Sequence, residues 1–113
     1  MRVYERGEIW LVDFNPAKGG EMGKLRPAII LSGAEENRLL DTVIVIPLST
    51  RIEPDTLPYR YTIGKRDRLE YDSDACIYEI RSLAKTRIKS WLGCLEADEL
   101  KTVQESLCHI VYQ

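Results

Sequence analysis

The stretch RGEIWLVDFNPAKGGEMGKLRPAIIL, residues 6–31, holds two apolar runs separated by a glycine-rich segment. The first run, residues 8–14, is rich in aliphatic and aromatic side chains and is too short for a core helix before Pro16 interrupts it, so it predicts a strand. The second run, residues 27–31, predicts another. Between them, residues 15–25 carry three glycines and a proline, which predicts a loop able to take unusual backbone angles.

Further short apolar runs predict four more strands and, at residues 51–58, an exposed loop that contains two prolines. These runs lie at residues 42–48, 59–63, 75–83 and 87–95. Pro47 cannot donate a ladder hydrogen bond, so it predicts a sheet edge or a bulge at the end of its strand. Gly93 predicts a bulge in the last strand.

The last part of the chain changes its period and predicts one helix. Apolar residues recur at helical spacing at Leu100, Val103, Leu107, Ile110 and Val111. Glu96, Asp98 and Glu99 lie in the first turn, where the helix dipole favours acids. Strands every 8 to 12 residues followed by one amphipathic helix predict a mainly β fold: a twisted antiparallel sheet curled into a partial barrel, with a C-terminal α-helix, in one domain of residues 1–113.

The charge distribution is more informative than the net charge of −2, which argues against a general polyanion binder. Residues 81–95 carry four basic groups and no acidic one. A small basic patch is therefore expected near Arg81, Lys85, Arg87 and Lys89. A charged strand edge that resists aggregation is an equally good interpretation of these four residues.

The three cysteines, Cys76, Cys94 and Cys108, have no C-x-x-C spacing and favour neither a disulfide framework nor a zinc site. We expect them to be buried small apolar residues in a protein of a reducing compartment. No window approaches the ~20 apolar residues of a spanning helix, and no leader is evident, so a cytoplasmic protein without membrane association is expected. His109, near the helix end, is expected to cap carbonyls.

Aromatic side chains offer flat faces on which unpaired bases stack. The candidates are Trp10, Trp91, Tyr59, Tyr61, Tyr71 and Tyr78. In so small a domain we expect most of them to belong to the core. Tyr59 and Tyr61 flank Arg60 on an alternating strand, and one face of that strand is a candidate binding surface.

Several motifs together resemble the MazF/PemK toxins of bacterial toxin-antitoxin modules. They are Arg6-Gly7-Glu8-Ile9-Trp10, Val12-Asp13-Phe14-Asn15-Pro16, Gly20-Glu21, Lys24-Leu25-Arg26-Pro27, Asn37, Pro47-Leu48-Ser49-Thr50 and Glu79-Ile80-Arg81-Ser82-Leu83. The resemblance covers nearly the whole chain and is strongest in the first 50 residues.

The resemblance implies an SH3-like barrel, a homodimer and an endoribonuclease that cuts single-stranded RNA at short sequence motifs without metal or other cofactor. It also implies inhibition by a small antitoxin whose flexible acidic tail occupies the RNA groove. By position, the family's catalytic arginine corresponds to Arg26 and its hydroxyl to Thr50, with Ser49 beside it. Arg81 matches a frequent later arginine. Some members carry a histidine in the first loop, where this chain has Gly20.

Cleavage through the 2′-hydroxyl requires removal of its proton, stabilisation of a phosphorane and protonation of the 5′-oxygen. Arg26 suits the second task, because its planar fork reaches two phosphate oxygens and stays charged. Thr50 can hold an oxygen by a hydrogen bond. Glu21 is the hypothetical general base, although pairing with Lys18 or Lys24 explains it equally well. We expect RNA contacts from Lys18, Lys24, Ser49, Arg81 and Arg87.

Two other functions stay open. One is a CcdB-like gyrase poison on the same barrel, which uses a tryptophan near the chain end where this chain has Ile110, Val111, Tyr112 and Gln113. The other is an inactive module that only binds its antitoxin and operator DNA.

Overall fold

The computed structural model describes residues 3–14 and 24–112. Its seven strands are β1 (Glu8–Asp13), β2 (Leu25–Ile30), β3 (Thr42–Ser49), β4 (Arg60–Ile63), β5 (Ser73–Cys76), β6 (Arg81–Ala84) and β7 (Ile88–Cys94). Its two helices are α1 (Ala34–Leu39) and α2 (Ala97–Val111), and single 3-10 turns lie at Ile77–Glu79 and Lys85–Arg87.

The strands form one antiparallel sheet in the order β4-β5-β3-β2-β1-β7, with β6 paired to β3. Within the described residues the strands at the two ends of this order, β4 and β7, do not pair with each other, so the sheet curls without closing. The prediction of a mainly β fold, a partial barrel with a C-terminal helix, is confirmed.

Strand β3 lies in the interior of the sheet, which corrects the expectation of an edge at Pro47. β3 pairs with β2 on one side, and on the other it pairs first with β6, as far as Val45, and then with β5, from Leu48 onward. Pro47 lies in the interval where β3 changes partner. Pro47 pairs with Ala28 of β2, but neither β5 nor β6 pairs with it, so a missing N–H is tolerated there.

Strand β1 lies between β2 and the edge strand β7. Gly7, just before it, has φ 93°, a conformation that favours glycine. Its N–H donates to the Ile30 carbonyl at 2.8 Å and its carbonyl accepts from Leu95 N–H at 2.8 Å. Further along, Ile9 opposes Gly93 whereas Trp10 opposes Trp91, so the bulge expected at Gly93 is confirmed.

Apolar clusters lie on both faces of the sheet. Alternation along β1 directs Trp10, Val12 and Phe14 into one apolar cluster and Ile9 into another, which also contains Val103 of α2. Each fully buried aliphatic side chain contributes about 1.5–3 kcal/mol through removal from water. A slip of one residue would exchange the side chains of the two clusters, so this alternation specifies the register of β1 against β2 and β7.

Helix α2 begins after Glu96, whose N–H donates to the Glu99 carboxylate at 2.8 Å. Val103 is fully buried and Leu107 and Ile110 pack at its side, as the periodicity predicts, whereas Val111 is exposed. The carboxylate of Glu99 also accepts hydrogen bonds from both Nη groups of Arg66. The helix is thus attached to the turn before β5 as well as to the sheet.

The six-residue helix α1 was not predicted from the sequence. Its buried Asn37 donates from Nδ2 to the carbonyls of Tyr4, at 2.7 Å, and Ser32, at 3.0 Å, and accepts from the Ser32 hydroxyl. This side chain holds the chain before β1 against the β2–β3 connection. Asn37, one of the residues that carry the family resemblance, therefore has a structural role.

The expectation that all three cysteines are buried is wrong for two of them. Cys76 is buried, and burial raises the pKa of its thiol, but Cys94 and Cys108 are exposed. Cys94 ends the edge strand β7, and Cys108 lies on the outer face of α2, so neither position requires an apolar residue. Among residues 3–14 and 24–112, no helix is long and apolar enough to cross a membrane.

Candidate active site

A cavity of about 370 Å³ lies where the start of β2 meets the end of β3. Because the two strands are antiparallel, with Ala28 opposite Pro47, residues 24–27 come to lie beside residues 48–50. The cavity is lined by Lys24, Leu25, Arg26, Pro27, Leu48, Ser49 and Thr50. Two segments more than twenty positions apart in sequence thus bring a lysine, an arginine and two hydroxyls together.

The guanidinium of Arg26 is positioned by backbone rather than by an acid. Its Nε and Nη2 donate to the carbonyl oxygen of Leu48 at 3.2 and 2.9 Å. In the part of the chain that the structure describes, no carboxylate lies within ion-pair distance of it. The remaining N–H groups of the fork are available for an anionic ligand, and the positive charge is not neutralised.

Phe14 lies between two arginines. Its ring centroid is 6.0 Å from Cζ of Arg26 and 5.5 Å from Cζ of Arg81, and the ring itself is buried. Both distances are within the range of a cation–π attraction. Arg87 donates from Nη1 to the Asp13 carbonyl at 3.3 Å. The end of β1 therefore gathers Arg26, Arg81 and Arg87 on one side of the molecule.

Two hydroxyls complete the described wall of the cavity. The Ser49 hydroxyl oxygen accepts from Arg51 N–H at 3.2 Å, which leaves its own proton to donate. Thr50 is exposed directly after β3. The Thr50 hydroxyl makes no hydrogen bond with any other described residue. Both groups can therefore donate to an oxygen of a ligand that Arg26 holds.

A buried carboxylate supports this wall from behind. Asp74, opposite Ser49 in the β3–β5 register, is fully buried. It accepts from Glu53 N–H at 2.8 Å, from Arg60 Nε at 2.9 Å and from the Thr62 hydroxyl at 2.6 Å. Burial alone would raise the pKa of Asp74, but these hydrogen bonds outweigh it and the pKa lies below its usual range.

Arg60 therefore has a structural task. It donates to Asp74 and, from Nη2, to the Arg51 carbonyl at 2.6 Å, so it holds the chain that follows Thr50. Tyr61 packs against the core, and Tyr59 meets Tyr78 edge to face at 5.9 Å. Tyr59 and Tyr78 are nevertheless exposed and line a cavity with Arg60, so an aromatic binding face there stays a prediction. Asp74 could not be identified from the sequence, because a lone acid in a polar stretch usually lies on the surface.

The predicted site residues divide into three groups. Lys24, Arg26, Ser49 and Thr50 line one cavity, and Arg81 and Arg87 lie beside it around Asp13 and Phe14. Lys18 and Glu21 lie outside the described residues, so the role of Glu21 as general base stays a prediction. Of the other two residues of the expected basic patch, Lys89 donates to the Thr86 carbonyl at 3.3 Å, and Lys85 follows β6.

Asp13 is the acid next to the cavity in the strand register, opposite Leu25. Side chains alternate along β1, and because Phe14 faces Arg26, the carboxylate of Asp13 faces the other side of the sheet. Its Oδ1 is buried and accepts no hydrogen bond from the described residues. The described lining of the cavity itself includes no carboxylate and no histidine. Its chemistry is that of an anion clamp with two hydroxyl donors.

Comparisons with known proteins agree with this geometry. The model of PemK-like, MazF-like toxins of type II toxin-antitoxin systems matches residues 5–111. An endoribonuclease MazF of Staphylococcus saprophyticus is 33% identical over 106 residues, 93% of this chain and 88% of that relative. A crystal structure of MazF from Deinococcus radiodurans aligns with a TM-score of 0.79 and 25% identity and covers 100% of both chains. A MazE–MazF crystal structure from the same organism aligns with a TM-score of 0.82 and 25% identity, and the alignment covers 98% of this chain and 97% of that one.

Proposed function

This chain belongs to the PemK-like, MazF-like toxins of type II toxin-antitoxin systems, and from that premise we propose that it is an endoribonuclease that cuts single-stranded RNA and is neutralised by a cognate antitoxin. The observation that supports the proposal is the guanidinium of Arg26, positioned by the Leu48 carbonyl and unpaired with any described acid, beside Thr50. That arrangement suits a phosphodiester whose charge increases during reaction.

In the proposed reaction the 2′-oxygen attacks the neighbouring phosphorus while a base takes its proton. The bond from phosphorus to the 5′-oxygen then breaks, and that oxygen gains a proton. The products are a 2′,3′-cyclic phosphate and a 5′-hydroxyl. Arg26 stabilises the equatorial oxygens of the phosphorane, where the fork donates more strongly than to the less charged ground state. Thr50 and Ser49 donate to a phosphate or 2′-oxygen. No step requires a metal ion.

Two further parts of the proposal concern partners. A two-fold homodimer would double the basic cluster formed by Lys24, Arg26, Arg81 and Arg87. An antitoxin segment rich in Asp and Glu would compete with RNA for the same cations, because both ligands offer oxygen anions. RNA cleavage and its inhibition by the antitoxin would both occur in the cytoplasm, where messenger RNA and a newly made antitoxin are present.

Digestion of one long single-stranded RNA by the purified protein, in EDTA, tests the proposal. We expect discrete fragments whose sequenced ends share a short motif and carry 2′,3′-cyclic phosphate and 5′-hydroxyl groups. A CcdB-like poison would instead leave the RNA intact and bind gyrase. Intact RNA with antitoxin binding alone would identify the inactive module, and activity that disappears in EDTA would contradict the metal-free mechanism.

A further inference from the structure

A second cavity, of about 240 Å³, adjoins the first and shares Pro27 and Thr50 with it. Leu69 and Leu92 are among the apolar side chains that line it, and Arg68, Glu70 and Tyr71 form its polar rim. A ligand whose phosphate meets Arg26 therefore has a recess for its next group on the far side of Thr50. The recess combines apolar walls with a polar edge.

The rim is held in place before any ligand arrives. Arg66 N–H donates to the Leu69 carbonyl at 3.1 Å, and Leu69 N–H donates back to Arg66 at 2.7 Å, which closes a tight turn. Buried Leu69 anchors the turn in the core, and Arg66 is bound to Glu99 of α2. Lys65 N–H donates to Asp72 Oδ1 at 2.9 Å on the other side. Little ordering is needed on binding, which favours affinity.

The polar side chains on this rim are free to contact a ligand, because they form no ion pair or side-chain hydrogen bond with other described residues. Arg68 and Glu70 are both exposed. Tyr71 is 66% exposed and its ring meets no other aromatic ring of the described chain. Tyr59 and Tyr78 are exposed as well, whereas Trp10, Trp91 and Tyr61 belong to or pack against the core, so only half of the six candidates meet the expectation that most are core residues. A rigid turn that presents a cation, an anion and a bare aromatic face around one recess is suited to a planar, polar-edged ligand.

We propose that this second cavity is a base-recognition subsite that seats the nucleobase next to the scissile phosphate. The proposal rests on the proposed ribonuclease function, since it assigns the recess to the same RNA. Tyr71 stacks on one face of the base, and apolar side chains cover the other. Arg68 and Glu70 contact its edges, which are open to hydrogen bonding only in unpaired RNA.

The charges on the rim favour guanine. Guanine presents two adjacent acceptors, O6 and N7, which match the fork of an arginine. Its neighbouring edge presents two adjacent donors, N1–H and N2–H, which match a carboxylate. Uracil lacks such a pair of donors, and adenine lacks the pair of acceptors. We therefore expect guanine to be the preferred occupant.

Binding to short strands that cannot be cut tests the subsite directly. The probes are fluorescent 2′-O-methyl heptamers of uridine with G, A, C or U at the central position, measured by anisotropy at one fixed salt concentration. The parent should bind the G probe at least about fivefold more tightly than the others. Arg68→Ala should remove this preference and Glu70→Gln should reduce it, whereas Arg38→Ala, an exposed arginine on α1, should leave it unchanged.

The aromatic contact has its own pair of variants. Tyr71→Ala should weaken binding of all four probes by about fivefold or more, and Tyr71→Phe should restore it, because the stacking face is kept. Equal affinity of the parent for the four probes, or a guanine preference that survives both Arg68→Ala and Glu70→Gln, would overturn the subsite.

Failure of the proposed function gives a different result. A parent that leaves unmodified RNA intact but prefers the G probe would contradict the ribonuclease while supporting the subsite. A parent that cuts RNA but binds all four probes alike would contradict the subsite alone.

Discussion

The guanidinium of Arg26 has a fixed orientation and keeps its full positive charge. Its two hydrogen bonds to the Leu48 carbonyl fix the direction of the fork, and the ring of Phe14 lies 6.0 Å away. A carboxylate partner would have oriented it as well, but at the expense of its charge. A carbonyl orients the fork and leaves the charge available to a phosphate.

Thr50 gives the first prediction at this scale. Thr50→Val keeps the shape of the side chain and removes the hydroxyl, so kcat/KM for RNA cleavage should fall about 100-fold, as when one transition-state donor is removed. Thr50→Ser should keep most of the activity. Because residue 50 is exposed, the urea midpoint of either variant should match the parent, and an unchanged kcat/KM in the valine variant would exclude this hydroxyl from the reaction.

Asp74 gives a prediction about pH. Its folded-state pKa is lowered, so its stabilisation is fully present above the unfolded value, about 4. It is lost as the pH falls from there through the folded value. Asp74→Asn should lower the free energy of unfolding at pH 7 by about 1–3 kcal/mol and should flatten the decline below pH of about 4. Urea titrations of both proteins across pH 3–7 measure this, and parallel curves would contradict the assignment.

At the scale of elements, α2 and the turn before β5 are joined through one ion pair. Arg66 and Glu99 are mostly shielded from water, with side-chain exposures of 18% and 15%. The hydrogen bond from Arg66 lowers the pKa of Glu99 and raises that of Arg66. This attachment fixes the rim of the second cavity relative to the helix.

Glu99→Gln should weaken this attachment by removing its charge while its shape is kept. We expect the free energy of unfolding to fall by about 1.5–3 kcal/mol, the usual contribution of a hydrogen bond to a charged group. Glu105→Gln, on an exposed position of the same helix, is the matched control and should change it by less than about 0.5 kcal/mol. Equal stabilities of the two variants in urea would show that the ion pair does not hold the helix.

Most strands and α2 could be predicted because each carries a periodic pattern that burial enforces, as at Trp10 and Val12. The run at residues 75–83 was not resolved by its pattern, since the structure divides it into the end of β5, the 3-10 turn Ile77–Glu79 and β6. Helix α1 could not be predicted, since six residues give less than two turns and its one buried side chain, Asn37, is polar. Arg26, Ser49 and Thr50 came from a family motif. Their meeting depends on the β2–β3 register, and the support from Asp74 and Arg60 depends on pairing across distant segments, which no local pattern records.

At the scale of the whole molecule, the net charge of −2 hides a local excess of positive charge. Lys24, Arg26, Arg81 and Arg87 converge around the end of β1 and the start of β2, while many acids lie on α2 and the loops. A binding surface for a short RNA needs only this cluster of basic residues, because such a site contacts roughly 2–4 phosphates.

The salt dependence of RNA affinity measures how many phosphates this basic cluster contacts. The slope of log K against log salt concentration for single-stranded RNA should be roughly −1.4 to −2.8. The double variant Arg81→Ala/Arg87→Ala should make it shallower by about one unit or more. Arg38→Ala/Lys101→Ala removes two exposed charges elsewhere and should leave the slope unchanged; equal slopes in the two double variants would place the RNA on another surface.

The most direct measurement of the central claim is the rate at which Arg26→Ala cuts a long single-stranded RNA, beside the parent and Arg38→Ala. We predict that Arg26→Ala loses at least about 1,000-fold in kcat/KM while its circular dichroism and urea midpoint stay near those of the parent, and that Arg38→Ala cuts at the parental rate. A folded Arg26→Ala variant that cuts as fast as the parent would contradict the account.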